Sequence, residues 1–133
     1  MLGAGVENGG IAGRAVLIDW ATWKKSQVSE LPSGDGGYKI PVSELEATLK
    51  SQNTSLEPGD ILLVRTGFLS WYESKTEAQT AEHTEKGCPS LGLDPSEEMR
   101  DWLWQNHFAA VGADNPALES WPPSSELGTD PSL

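Results

Sequence analysis

The segment FAAVGADNP, residues 108–116, decides the fold class of this chain. An apolar run here breaks abruptly into an acid, an amide and a proline. An apolar run of this length, bounded by turn residues, predicts a strand that is covered on both faces, as in α/β proteins. Because such proteins bind ligands beyond the carboxyl ends of their strands, Asp114 is the first candidate for a functional side chain.

A second strand is predicted over residues 61–67, ILLVRTG. The turn-forming sequence EPGD precedes it, and its four consecutive apolar residues again predict burial on both faces. Arg65 and Thr66 then place a cation and a hydroxyl at the carboxyl end of the strand. A shorter apolar run at residues 14–19, RAVLID, follows a cluster of glycines and predicts a further strand.

Helices are predicted between these strands from their start signals. One or two helical turns are expected from Trp20. Ser43 and Glu46 have the spacing of a capping box, which predicts a helix that ends near residue 53. Asp94, followed by a proline, is the expected N-cap of a helix that stops near His107. Helices that alternate with strands over short connections indicate an α/β layer structure.

Composition and charge exclude several classes of partner. The 133 residues suffice for one domain, and 20 acidic against 9 basic residues give a net charge of −11. This charge repels nucleic acid and anionic lipid, and no apolar run is long enough to cross a bilayer. The first residues show no signal-peptide pattern, so a cytoplasmic location is expected. The sequence leaves open whether the chain forms a homo-oligomer.

Two segments carry few signals for packed structure. Residues 73–92 are polar and predict a surface excursion with weak helical character near residues 76–82. Residues 117–133 contain prolines at positions 122, 123 and 131 without an apolar period, which predicts an irregular tail.

Several side chains have both a functional and a structural interpretation. Asp114 could serve as a metal ligand, a general base or an orienting residue, or it could form an Asx turn before Pro116. Arg65 could clamp a carboxylate or an oxyanion, or it could pair with a surface acid such as Asp60 or Asp114. Trp71, with its neighbours Phe68 and Tyr72, could form an aromatic wall suited to a flat organic substrate. The residues alone leave these alternatives open.

Four ordered sequence blocks resemble the Putative cyclase family, which includes kynurenine formamidase (arylformamidase) and isatin hydrolase. The version here is most similar to the fungal branch. The blocks are residues 10–19, GIAGRAVLID; 58–67, PGDILLVRTG; 109–116, AAVGADNP; and 119–122, ESWP.

The resemblance implies a swivelling β/β/α hydrolase fold of the α/β class, with residues 1–133 forming a single partial domain that is incomplete at both ends. It also implies a divalent metal, zinc or manganese, whose bound water attacks an amide. The substrate would be a small aromatic amide, as in the conversion of N-formylkynurenine to kynurenine and formate in tryptophan catabolism.

The chain departs from the family where the metal ligands are expected. The family motif His-x-Gly-Thr-His-x-Asp should precede Gly10, but no histidine occurs before His83. A later histidine and glutamate would fall beyond Leu133. We therefore expect no metal ligand, no assignable catalytic residue and no bound metal in these 133 residues. A catalytically inactive binding or scaffold protein that keeps the fold is the alternative. The candidates for the substrate-pocket wall are Arg65, Thr66, Gly67, Trp71, Asp114, Asn115 and Pro116.

Overall fold

A computed structural model describes residues 9–122, which contain five strands and five helices in mostly alternating order. The elements are β1 (Ala15–Ile18), α1 (Trp20–Gln27), β2 (Lys39–Ile40), α2 (Val42–Ser51), β3 (Ile61–Val64), α3 (Phe68–Glu73), α4 (Glu77–Glu85), β4 (Gly92–Leu93), α5 (Glu97–Gln105) and β5 (Ala110–Ala113). None of these helices combines the length and the apolar character that a membrane span requires. The predicted α/β class is confirmed.

The main sheet contains three parallel strands in the order β1-β3-β5. Its register places Leu17 beside Leu63 and Leu63 beside Gly112. A smaller parallel pair is formed by β2 and β4. Because all three main strands run the same way, their carboxyl ends lie along one edge, and the residues that follow Val64 and Ala113 are neighbours.

One face of the main sheet forms the core. Val16, Ile18, Leu62 and Val64 alternate along β1 and β3 with at most 4% of their surface exposed. Helix α2 packs on β1, and α1 and α5 in turn pack on α2. Since burying an aliphatic side chain of this size contributes about 1.5–3 kcal/mol, this face supplies much of the stability of the sheet.

The opposite face of the sheet is open within residues 9–122. Leu17 is 48% exposed and Leu63 is 41% exposed, although each lies between fully buried neighbours. On the edge strand β5, Val111 is 37% exposed on the other face of the sheet, beside the buried Leu62. The predicted burial of β3 and β5 on both faces was therefore wrong. A continuous apolar run indicates a strand that can be buried on both faces. It does not specify which other segments cover each face.

Two helices begin at other residues than the start signals predicted. Pro41 is the N-cap of α2, so Ser43 lies inside the first turn and the expected capping box does not form. Ser96, and not Asp94, caps α5 by accepting a hydrogen bond from the amide of Met99. At each start, the side-chain signal lies two residues from the N-cap that the structure contains.

The segment 73–92 contains a helix and leads into a short strand. The expected helical character near residue 76 is confirmed, because Thr76 and Gln79 form a capping box at the start of α4. The segment then ends in β4, which pairs with β2. Of the predicted irregular tail, residues 117–122 form isolated bridges to Ser90 and Leu93, and residues 123–133 lie outside the described part.

Candidate functional site

The carboxyl ends of β3 and β5 are joined by the carboxylate of Asp114. This carboxylate accepts hydrogen bonds from the Thr66 amide at 2.6 Å, the Thr66 hydroxyl at 2.7 Å and the Gly67 amide at 3.1 Å. Gly67 is the N-cap residue of α3 and has no side chain to cap the helix itself. Asp114 thus supplies, from the neighbouring strand, the acceptor that this helix start lacks.

Two residues of the turn after β3 are required by its geometry. Gly67 has φ of +88°, which favours glycine, and an added Cβ would lie 3.1 Å from the Cβ of Ala21. Thr66 is 2% exposed, and its hydroxyl accepts a hydrogen bond from the Phe68 amide at 3.2 Å. Both residues therefore hold the turn and the first residues of α3 in position.

Arg65 forms an ion pair with a third acid. Its guanidinium lies 2.7 Å from the carboxylate of Asp19 and 3.1 Å from the hydroxyl of Thr22. Burial tends to raise the pKa of Asp19, but hydrogen bonds from the Thr22 amide, Arg65 and the Thr22 hydroxyl outweigh it, and the pKa is lowered. Of the alternatives that the sequence left open for Arg65, the structure contains a pairing with a surface acid, Asp19. The side chain of Arg65 stays 42% exposed, so further donors can reach a ligand.

A depression of about 400 Å³ lies at this edge, on the open face of the sheet. Arg65 and Asp114 supply its charged groups, and leucines from β1, β3 and α3 supply apolar surface. The lining residues are Leu17, Leu63, Val64, Arg65, Leu69, Ser70, Gly112, Ala113 and Asp114. Its volume is within the range of small-molecule sites, about 300–1,000 Å³.

Trp71 lines a different and smaller depression, of about 140 Å³. Its indole packs against the imidazole of His83 at 5.2 Å between centroids, and the ammonium of Lys75 lies 4.7 Å from its ring centroid. The ring also covers Gly34, where an added Cβ would collide with it. The structure therefore places Trp71 in an aromatic cluster apart from the strand-end depression.

Asn115 and Pro116 also do not line the strand-end depression. The buried side-chain amide of Asn115 donates hydrogen bonds to the carbonyls of Leu91 at 2.9 Å, Glu119 at 3.1 Å and Leu118 at 3.2 Å. Asn115 therefore ties the loop after β5 to the segment that leads into β4, while Pro116 is exposed.

The structure thus brings four of the seven predicted site residues together and separates three. Arg65 and Asp114 line the strand-end depression, with Thr66 and Gly67 bonded to Asp114. Leu17 and Leu63 were missed as lining residues. Their alternation with buried neighbours could have indicated them, but only once one face of the sheet was known to be open.

Residues 9–122 do not form a metal site. No group of three or more His, Cys, Asp or Glu side chains in this part of the chain is placed to hold a metal ion. Both oxygens of the Asp114 carboxylate already accept hydrogen bonds. This donor set does not fit the divalent metal that the resemblance implies.

The sequence profile of the Putative cyclase family matches residues 5–120. The chain belongs to this family. A crystal structure described as that of a novel cyclase is 35% identical in sequence, with a TM-score of 0.66. The alignment covers 83% of this chain and 33% of that chain, so the present chain spans about one third of its length. A search of curated proteins found no match. Membership supports a cyclase-like hydrolase family and confirms the resemblance of the four sequence blocks.

Proposed function

We propose that this chain forms the substrate-pocket wall of an amide hydrolase whose substrates are small aromatic amides of the aryl-formamide type. The strand-end depression carries the proposal, because it combines apolar surface, a cation and a carboxylate at the carboxyl ends of three parallel strands. Family membership supports the hydrolase class. The aryl-formamide substrate and the dependence on zinc or manganese are part of the proposal.

The depression suits a flat ligand with a polar end. Leu17 and Leu63 stand side by side on the open sheet face and offer an apolar surface to an aromatic ring. Arg65 can donate further hydrogen bonds to a substrate carboxylate or carbonyl while it keeps its ion pair with Asp19. Asp114 holds the turn from which Leu69 extends, so it shapes the wall without contacting the scissile bond.

Metal ligands would have to come from outside residues 9–122, since this part of the chain offers no suitable cluster. The matched cyclase structure is about three times as long as the aligned part of this chain, which leaves room for such ligands in a longer protein. We therefore assign binding and shape to the residues described and no step of the hydrolysis.

The test is turnover and binding by the purified 133-residue chain with added zinc or manganese. We expect no conversion of N-formylkynurenine, but saturable binding that is lost in Leu63→Glu and kept in Val28→Glu, the same charge change at an exposed position outside the depression. Turnover by this chain would contradict the proposal that the metal ligands belong to a longer form of the protein. A longer natural form without His-x-Gly-Thr-His-x-Asp upstream of Gly10 would contradict the hydrolase proposal.

A non-catalytic binding protein is the second candidate. It is favoured by the engagement of Asp114 and Asn115 in hydrogen bonds that hold the fold. Zinc content and turnover, measured on the longest natural form of the protein, distinguish the hydrolase from the binding protein. Stoichiometric zinc together with turnover would support the hydrolase, and binding of an aromatic amide without metal or turnover would support the binding protein.

A further inference from the structure

A second cavity, of about 620 Å³, lies between α5 and the edge strand β5. We call it the α5 groove. Met99, Leu103, Phe108, Val111 and Leu118 form its apolar floor. Val111 is in register with the buried Leu62, whereas the next residue, Gly112, lines the strand-end depression. Because successive residues of a strand face opposite sides, the α5 groove and the strand-end depression lie on opposite faces of the sheet.

Trp104 stands exposed at the wall of the α5 groove. Its side chain is 79% exposed, the largest such value for an aromatic residue in residues 9–122. The nearby Trp102, by contrast, packs on Phe108 at 5.7 Å between centroids. An indole left in water beside an apolar cavity offers a flat, electron-rich face that a bound cation can cover.

The charged groups around the α5 groove are mostly acidic. Four acids line it, Asp94, Glu97, Asp101 and Glu119, against one base, Arg100. The Arg100 guanidinium lies 2.9 Å from Asp101 and 3.7 Å from Glu97. Within residues 9–122, the carboxylates of Asp94 and Glu119 form no ion pair, and they stand at the groove as negative charges without a partner.

We infer that the α5 groove binds a small organic cation that joins an apolar body to an ammonium group. The apolar floor would take the body, and Trp104 with the carboxylates of Asp94 and Glu119 would take the charge. The volume of the groove falls within the range for small-molecule sites, about 300–1,000 Å³. The net charge of −11 favours the approach of a cation.

The same observations disfavour a second copy of the chain as the occupant. A second copy would bring another net charge of −11 to an acidic rim. An anionic ligand meets the same repulsion, and a bare metal ion would gain nothing from the apolar floor. The combination of apolar floor, exposed indole and acidic rim fits an amphiphilic amine.

The test compares three ligands that each carry a phenyl group on a four-carbon chain: phenylbutylamine, phenylbutanol and phenylbutanoate. Binding is followed on the full 133-residue chain by the indole N–H resonances in NMR spectra. We expect saturable binding of the amine that shifts the Trp104 resonance and is about tenfold tighter than binding of the alcohol. The butanoate should bind most weakly.

Matched variants identify the groups responsible. Trp104→Ala, at an exposed position, should weaken amine binding about tenfold. Glu119→Gln should weaken the amine and leave the alcohol unchanged, whereas Glu73→Gln, the same charge change on an exposed residue outside the groove, should affect neither. Equal affinities for the amine and the alcohol would overturn the inference. So would binding that Trp104→Ala leaves unchanged, or a Trp104 resonance that shifts with protein concentration and not with ligand.

Discussion

Replacing Asp114 by alanine tests whether this carboxylate is the group that joins the two strand ends. The change removes the acceptor of four hydrogen bonds, two from Thr66, which is 2% exposed, one from the Gly67 amide and a long one of 3.5 Å from the Leu69 amide. A hydrogen bond to a charged group contributes about 1.5–3 kcal/mol, and leaving a buried amide without a partner costs about 1–3 kcal/mol. Water can reach the half-buried Gly67 amide and the exposed Leu69, so the four losses are not additive. We expect Asp114→Ala to lower the free energy of unfolding by about 2–4 kcal/mol.

Urea unfolding at neutral pH measures this loss as a lower midpoint with an unchanged m-value. Asp114→Asn keeps one carbonyl oxygen for Thr66 but turns a donor towards Gly67, so we expect about half the effect. This milder variant also keeps the test informative if the alanine variant does not fold. Asp101→Ala is the control, because its pair with Arg100 is exposed and should change stability by less than about 0.5 kcal/mol. A loss below about 0.5 kcal/mol in Asp114→Ala would refute the reasoning.

Three further predictions concern the sheet and the charged pairs. Because Leu62 is buried and Leu63 is exposed, Leu62→Ala should destabilise the fold by about 2–5 kcal/mol and Leu63→Ala by less than about 1 kcal/mol. Urea unfolding of the two variants measures this difference. Glu44→Ala should cost roughly 3 kcal/mol in the same assay, since it leaves the largely buried ammonium of Lys24 without its carboxylate; a change below 1 kcal/mol would contradict this. Burial tends to raise the pKa of Glu44 and of Asp19, but hydrogen bonds to their carboxylates outweigh it, and both pKa values are lowered. The free energy of unfolding should therefore stay constant above about pH 4 and fall as acid protonates the two carboxylates. A urea midpoint that rises between pH 5 and pH 3 would contradict this.

The positions of the main strands were predictable from the sequence, and their surroundings were not. Short apolar runs bounded by turn residues indicated β1, β3 and the strand that ends before Asp114, because such a run is too short for a typical helix and favours a strand with at least one buried face. Whether the second face is covered depends on other elements. Leu63 is 41% exposed for that reason, although its sequence neighbours are buried.

The helix starts show the same limit at a local scale. Ser43 has the side chain of a good N-cap, yet the chain enters α2 through Pro41. Near α5, Asp94 and Ser96 are both suitable caps, and the one aligned with the Met99 amide is used. The start signals therefore located these helices to within two residues and did not identify their N-caps.

The sequence by itself determined the α/β class, the three main strands and the family, because apolar runs, turn residues and ordered blocks are local signals. Only the tertiary structure decided which partner each charged side chain meets. Asp114 bonds to Thr66, 48 residues away, and Arg65 pairs with Asp19, 46 residues away. These partners meet because the strand order β1-β3-β5 brings the carboxyl ends of distant segments to one edge, and no local pattern specifies that order.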